Sequence, residues 1–158
     1  MKKTALITGA TSGIGRATAH ELAKHGINLV LCGRRQNRLD TIKQALSKQT
    51  NVHTLNFDVR DKDAVFNAID SLPENFKQID VLINNAGFGL IGPMEDLTMD
   101  QIRYQFEVNV FGLIELTNCL LPSLRNTKGK IFNVSSMGGR FSFPFYGAYH
   151  ASKFAIEG

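Results

Sequence analysis

Short apolar runs alternate along this chain with longer stretches in which apolar positions recur every three or four residues. The runs cover residues 4–8, 28–32, 52–57, 81–84 and 130–134, and each is rich in Val, Ile, Leu or Phe. Near-continuous apolar runs of that length predict strands buried on both faces, as in a parallel sheet. The stretches between them predict amphipathic helices over about 13–25, 36–48, 62–72 and 99–125, with a fifth helix starting near Tyr149. In the first helix Ile14, Ala17 and Leu22 are expected to face the sheet, and Gly26 to close its C-terminus. Thr98 followed by Gln101 has the form of a capping box for the fourth. Repeated βα units of this kind predict an α/β, Rossmann-like doubly wound parallel sheet. Five strands stand where the order 3-2-1-4-5-6 needs six, so the sheet is expected to be incomplete at its C-terminal side.

Composition narrows the class without deciding the function. A chain of 158 residues with 43% apolar content fits one globular domain, here 1–158, and excludes collagen-like, disordered and disulfide-scaffold classes. Lys2 and Lys3 lead straight into the first strand, leaving no apolar stretch for a signal peptide or a membrane span, so a cytoplasmic location without membrane contact is expected. In that compartment Cys32 and Cys119 are expected to be reduced core residues. His20, His25, His53 and His150 share no metal-ligand spacing, and no metal is expected. The net charge of +4 is mild. Its densest group, Arg34, Arg35 and Arg38, lacks the interleaved aromatics of a single-strand-binding surface, so no nucleic-acid partner is expected.

The glycine turn Thr8-Gly9-Ala10-Thr11-Ser12-Gly13-Ile14-Gly15 follows the first strand and opens the first helix. Glycines there let backbone approach a pyrophosphate, and the helix N-terminus offers N–H groups and a positive dipole end to the anion. Dinucleotide folds place an acidic residue about 20 positions further on for a ribose 2′-hydroxyl, or an arginine for a 2′-phosphate. The second strand here ends Leu31-Cys32-Gly33-Arg34-Arg35, with no carboxylate. A planar guanidinium grips phosphate with paired charge-assisted bonds, so the pattern predicts NADP rather than NAD.

Six ordered motifs together resemble the short-chain dehydrogenases/reductases, in their compact single-domain branch. They are the glycine turn, Asp58-Val59, Asn84-Asn85-Ala86-Gly87, Asn109, Ser136 and Tyr149-His150-Ala151-Ser152-Lys153, and they run through essentially the whole chain. The resemblance implies that Gly9, Thr11, Ser12, Gly13, Ile14 and Gly15 cradle the cofactor phosphates. It implies that Asp58 and Val59 contact adenine and that Asn85, Ala86 and Gly87 line the cofactor. It also implies that Ser136 polarises the substrate carbonyl, with Ser135 as its neighbouring rival. Asn109 is implied to hold, through its backbone, a water that connects Lys153 to solvent. A full-length form is implied to be a homo-oligomer.

The chemistry of the last motif can be argued from its side chains. Hydride reduction of a carbonyl needs a proton donor for the developing alkoxide. A tyrosine with its ordinary pKa of about 10 is poorly suited at neutral pH, and an ammonium about 4 Å away would be worth roughly 4 kcal/mol at an effective dielectric near 20. Tyr149 and Lys153 lie one helical turn apart on one face. Tyr146 is the rival, but His150 in the matching position carries no permanent charge. The predicted reaction is hydride transfer between NADP(H) and a small carbonyl or secondary alcohol, with Tyr149 as acid/base. Phe88, Leu90, Ile91, Met94, Phe141, Phe143 and Phe145 suggest an apolar substrate, and equally a packing role under a loop or against a second subunit. Two other readings stand beside it. One is a truncated, inactive piece that at most binds a dinucleotide, because the chain stops five residues past Lys153. The other is a sugar epimerase, disfavoured by the glycine spacing and the paired asparagines.

Overall fold

A computed structural model of the chain describes residues 2–158. In chain order the elements are β1 (Thr4–Thr8), α1 (Gly13–Lys24), β2 (Asn28–Gly33), α2 (Gln36–Leu46), β3 (Val52–Asn56), α3 (Lys62–Asp70), β4 (Val81–Asn84), α4 (Met99–Phe106), α5 (Gly112–Thr127), β5 (Lys130–Asn133) and α6 (Gly147–Glu157). The five strands are parallel, in the order β3-β2-β1-β4-β5. This is the doubly wound arrangement that the pattern of runs predicts, but the fifth run is not buried as expected: β5 is an edge strand and all four of its residues are exposed.

Alternate residues of each central strand feed two separate cores, because strand side chains point to opposite faces in turn. Ala5, Ile7, Leu29 and Leu31 meet α1 and α2 through Ala19, Ala23, Leu39, Ile42 and Leu46. Leu6, Val30, Cys32 and Leu82 meet the other layer, where α3 contributes Val65 and α5 contributes Leu116, Leu120 and Leu124. Both faces of β1 and β2 are thereby covered, which is why these strands read as unbroken apolar runs. Cys32 is buried as expected, whereas Cys119 on α5 is only partly so.

Two expectations about helices need correction. In α1 the residues against the sheet are Gly15, Ala19 and Ala23, while Ile14 is 66% exposed and Ala17 is also exposed; only Leu22 of the expected set packs on the core. A stripe of small side chains lets the helix lie close to the strands, and Ile14 is left at the mouth of the turn. Gly26 does close α1: its N–H bonds Ala23 O and that of Ile27 bonds Leu22 O. The long fourth helix, in turn, is interrupted. A π-turn over Glu107–Phe111 separates α4 from α5 and buries Val108, Asn109 and Val110. Its start is as expected, with Gln101 N–H bonding Thr98 Oγ1 at 3.2 Å and Thr98 N–H bonding Gln101 Oε1 at 2.8 Å. Among the described residues no helix is long and apolar enough to cross a membrane.

Candidate active site

Strand order reverses between β1 and β4, and a cleft of about 900 Å³ opens at their C-terminal ends. Its floor is the glycine turn. Gly9 has φ +64°, and a Cβ there would come within 2.9 Å of Asn85 Nδ2; a Cβ at Gly15 would collide with the same atom. That close approach has a purpose, since Asn85 Nδ2 donates to Thr8 O at 2.9 Å and ties the end of β4 to the end of β1. Thr8 Oγ1 completes the tie by accepting the N–H groups of Asn85 and Ala86 at 3.0 and 2.9 Å. Neither a side-chain cap at Ser12 nor an acidic residue occupies the first turn of α1, and Gly13 and Ile14 face the cleft. The positive end of the helix is therefore free for an anion, and the glycine cradle fits a dinucleotide pyrophosphate.

Basic side chains frame one end of this cleft. Arg35 reaches back to the turn, donating through one terminal nitrogen to Thr11 Oγ1 at 2.9 Å and Ser12 Oγ at 3.2 Å. Arg34 donates to the Tyr104 hydroxyl at 2.9 Å and lies 3.4 Å from Asp58. The Tyr104 hydroxyl, against some desolvation and with Asp58 behind it, raises the Arg34 pKa above its usual value. Burial pushes the Asp58 carboxyl up, but hydrogen bonds from Arg60, with Arg34 adding charge, outweigh it and leave the pKa below the usual carboxylate range.

At the opposite end sits Tyr149. Its ring occupies a slot between two glycines: a Cβ on Gly89 would lie 3.1 Å from Tyr149 Cδ2, and one on Gly138 would lie 3.3 Å from Cε1. Lys153 is 6% exposed, and its Nζ donates to Val134 O at 2.8 Å, 5.9 Å from the centre of the Tyr149 ring. Burial lowers the Lys153 pKa. Its bonded partner is a carbonyl and not a carboxylate, so the cation's field toward the tyrosine is not cancelled by a bound anion. Tyr146 also lines the cleft; its ring stacks on His150 at 5.4 Å and meets Tyr149 edge-on at 6.4 Å.

Of the catalytic and cofactor-binding residues expected from sequence, all but Gly15, Ser136 and Asn109 line this cleft; of the apolar candidates only Phe88 and Ile91 do, while Leu90, Met94, Phe141, Phe143 and Phe145 lie outside it. Gly15 lies beneath the turn for the steric reason given. Ser136 Oγ accepts the Gly138 N–H at 3.1 Å, which leaves its own proton free to donate. Its neighbour Ser135 also borders the cleft, but its hydroxyl is buried and unpartnered, packed where a Cβ on Gly139 would come within 2.7 Å. Asn109 stands behind the wall as a clamp. Its Oδ1 accepts Phe88 N–H at 3.1 Å, while its Nδ2 donates to Phe88 O and to Ser152 Oγ, each at 2.9 Å. One side chain thus joins the loop after β4 to α6. The π-turn that aims it, the Gly89–Gly138 slot, Tyr104 and Arg60 were all missed from sequence; of these, only a polar residue inside an apolar helical stretch left a signal.

The family described as short chain dehydrogenase matches residues 3–158. The chain belongs to that family. Short-chain dehydrogenases similar to it include sulfoacetaldehyde reductase 2 of Chromohalobacter salexigens, 40% identical over 99% of this chain and 64% of the relative. Serine 3-dehydrogenase of Agrobacterium fabrum is 36% identical over 97% of this chain and 61% of its own length. The chain therefore spans a little under two thirds of these relatives. Among solved structures, an alcohol dehydrogenase from the archaeon Thermococcus sibiricus complexed with 5-hydroxy-NADP superposes with a TM-score of 0.94 at 32% identity, over 98% of this chain and 67% of that one. Short-chain dehydrogenases are oxidoreductases that use nicotinamide dinucleotides.

Proposed function

We propose that this short-chain dehydrogenase interconverts a carbonyl and a secondary alcohol on a small apolar substrate, with NADP(H) as cofactor and residues 1–158 acting as one dinucleotide-binding domain. When bound, the dinucleotide supplies or accepts the hydride at its nicotinamide ring. The chain's own groups manage the proton. Tyr149 donates its phenolic proton to the developing alkoxide, and in the reverse direction the phenolate takes it back. Lys153, buried and bound to a carbonyl, stabilises that phenolate by its charge. Ser136, already accepting from Gly138, directs its own proton at the substrate oxygen. Asn109 acts at one remove, holding α6 so that Tyr149 and Lys153 stay in register with the loop after β4.

The observation that carries this reading is the Tyr149 ring, held in a glycine slot above a buried cation and opening onto the same cleft as the glycine turn. An apolar substrate is favoured by Ile91, which lines the cleft with Tyr146 and Tyr149 and is exposed; Met94, Phe143 and Phe145 are exposed too but do not line it. Arg140, which pairs with Glu157 at 3.1 Å, does not line the cleft. Phe111, Ile114 and Phe154, exposed on the outer helices, favour a homo-oligomer.

NADPH oxidation followed across a panel of apolar ketones tests the reading. The Tyr149→Phe variant should lose about 10²–10⁴-fold in turnover while binding NADPH as before. Full turnover in that variant would refute the assignment. Ser135→Ala compared with Ser136→Ala decides between the serines, with the larger loss expected at Ser136.

A further inference from the structure

Arg34 is held by one edge of its guanidinium. Its NH1 nitrogen donates to the Tyr104 hydroxyl at 2.9 Å and lies 3.4 Å from Asp58 Oδ2. Among the described residues its Nε and NH2 make no hydrogen bond. That free edge presents two parallel N–H groups, the fork that grips a phosphate. Asp58 would be expected to pull the fork onto itself, yet Arg60 has taken its place. Arg60 donates to Asp58 through Nε at 3.1 Å, NH2 at 2.8 Å and its backbone N–H at 3.1 Å. A carboxylate has about four lone-pair sites. Three go to Arg60, and the fourth and longest contact goes to Arg34.

The same Arg60 guanidinium lies 4.1 Å over the Tyr104 ring, and Phe88 packs edge-on against that ring at 5.2 Å. Tyr104 comes from α4, 70 residues from Arg34, so its hydroxyl is placed by the fold and not by a local turn. A neutral hydroxyl accepts one N–H without cancelling the positive charge, which a carboxylate in that position would do.

We infer that Tyr104 is a specificity-determining positioning residue, whose hydroxyl tethers Arg34 with its free guanidinium edge available to a 2′-phosphate, while Arg60 keeps Asp58 from capturing it. This deepens the NADP(H) reading and rests on it. Holding a long side chain in place before binding saves the entropy otherwise lost on binding. That saving is about 0.5–1.5 kcal/mol per rotamer-rich side chain, or about twofold to tenfold in affinity. The benefit should be felt by ligands with a 2′-phosphate and by no others.

Calorimetric titration with 2′,5′-ADP and with 5′-ADP provides the test, since neither probe needs the substrate. The unaltered chain should bind 2′,5′-ADP more tightly. Tyr104→Phe, which keeps the ring under Arg60, should weaken 2′,5′-ADP about threefold to tenfold and leave 5′-ADP unchanged. In an Arg34→Ala background the same substitution should change neither ligand. Equal weakening of both ligands by Tyr104→Phe would make the residue merely structural and overturn the inference. So would a preference left intact by Tyr104→Phe, or an effect that persists without Arg34. An unaltered chain that binds the two probes alike would sink the NADP(H) reading itself, and the tether with it.

Discussion

The two ends of the cleft are held by different forces. At the glycine-turn end, β1 and β2 are buried along almost their whole length between two apolar cores. At the Tyr149 end, all four residues of β5 are exposed, Ile131 and Phe132 among them, and Phe141, Phe143 and Phe145 stand out from the loop before α6. What fixes Tyr149 there is a set of specific contacts: the Asn109 clamp, the Lys153 bond to Val134 O, the His150 Nδ1 acceptor for Phe143 N–H at 3.1 Å, and the glycine slot. Apolar packing tolerates small shifts and spreads their cost over many neighbours. A few hydrogen bonds and close approaches do not, so the Tyr149 end should be the more easily dislodged without the chain unfolding.

Substitutions on either side of that contrast separate the two regimes. Leu6→Ala, in the core shared by β1, α3 and α5, should destabilise the whole chain by about 2–5 kcal/mol, with hydrogen exchange accelerated at both ends. A loss confined to β1 would show that the two ends do not fold together. Asn109→Leu takes away the partner of the part-buried Phe88 N–H and C=O, at up to about 1–3 kcal/mol for each group that water does not reach. Its exchange signature should be local to α6 and the loop after β4, with dinucleotide binding retained. Gly138→Ala drives a Cβ into the His150 ring, and overpacking of this kind costs about 1–3 kcal/mol. The melting temperature should fall by a correspondingly smaller step, and turnover more than stability.

The smallest effect is a slope. Because burial lowers the Lys153 pKa in the folded chain, the unfolded chain binds more protons between that lowered value and the ordinary lysine value of about 10.4. Stability therefore rises with pH across that window. Urea midpoints measured against pH should show this rise in the unaltered chain and lose it in Lys153→Met. Parallel profiles would mean that the ammonium is not penalised by its surroundings.

Local sequence pattern reached further at one end than at the other. Strand ends were legible to within one residue, and helix ends to within two except at the break between α4 and α5, because strands and capped helices carry their signals in adjacent residues. The glycine turn, Arg34, Arg35, Tyr149 and Lys153 were legible for the same reason. The inward face of α1 was not. Hydrophobicity ranks Ile14 above Gly15, but close packing on the sheet rewards the smaller residue. The π-turn was hidden because one additional residue in a turn shifts the phase of the apolar stripe without breaking it. Tyr104, Gly89 and Gly138 owe their places to contacts across the fold, with partners dozens of positions away for the first two, and no window of sequence contains both members of such a pair.

Gly138 and His150 share one small volume, since any side chain at the first position occupies space now filled by the imidazole of the second. Variation at the two positions is therefore conditional. An alanine at 138 becomes tolerable only after 150 has shrunk, and the shrunken residue no longer offers Nδ1 to the Phe143 amide unless asparagine supplies an oxygen in its place. A lineage changing one position first must cross an intermediate with a displaced α6 or an untethered aromatic loop, so the order of the two substitutions decides which pathway is open.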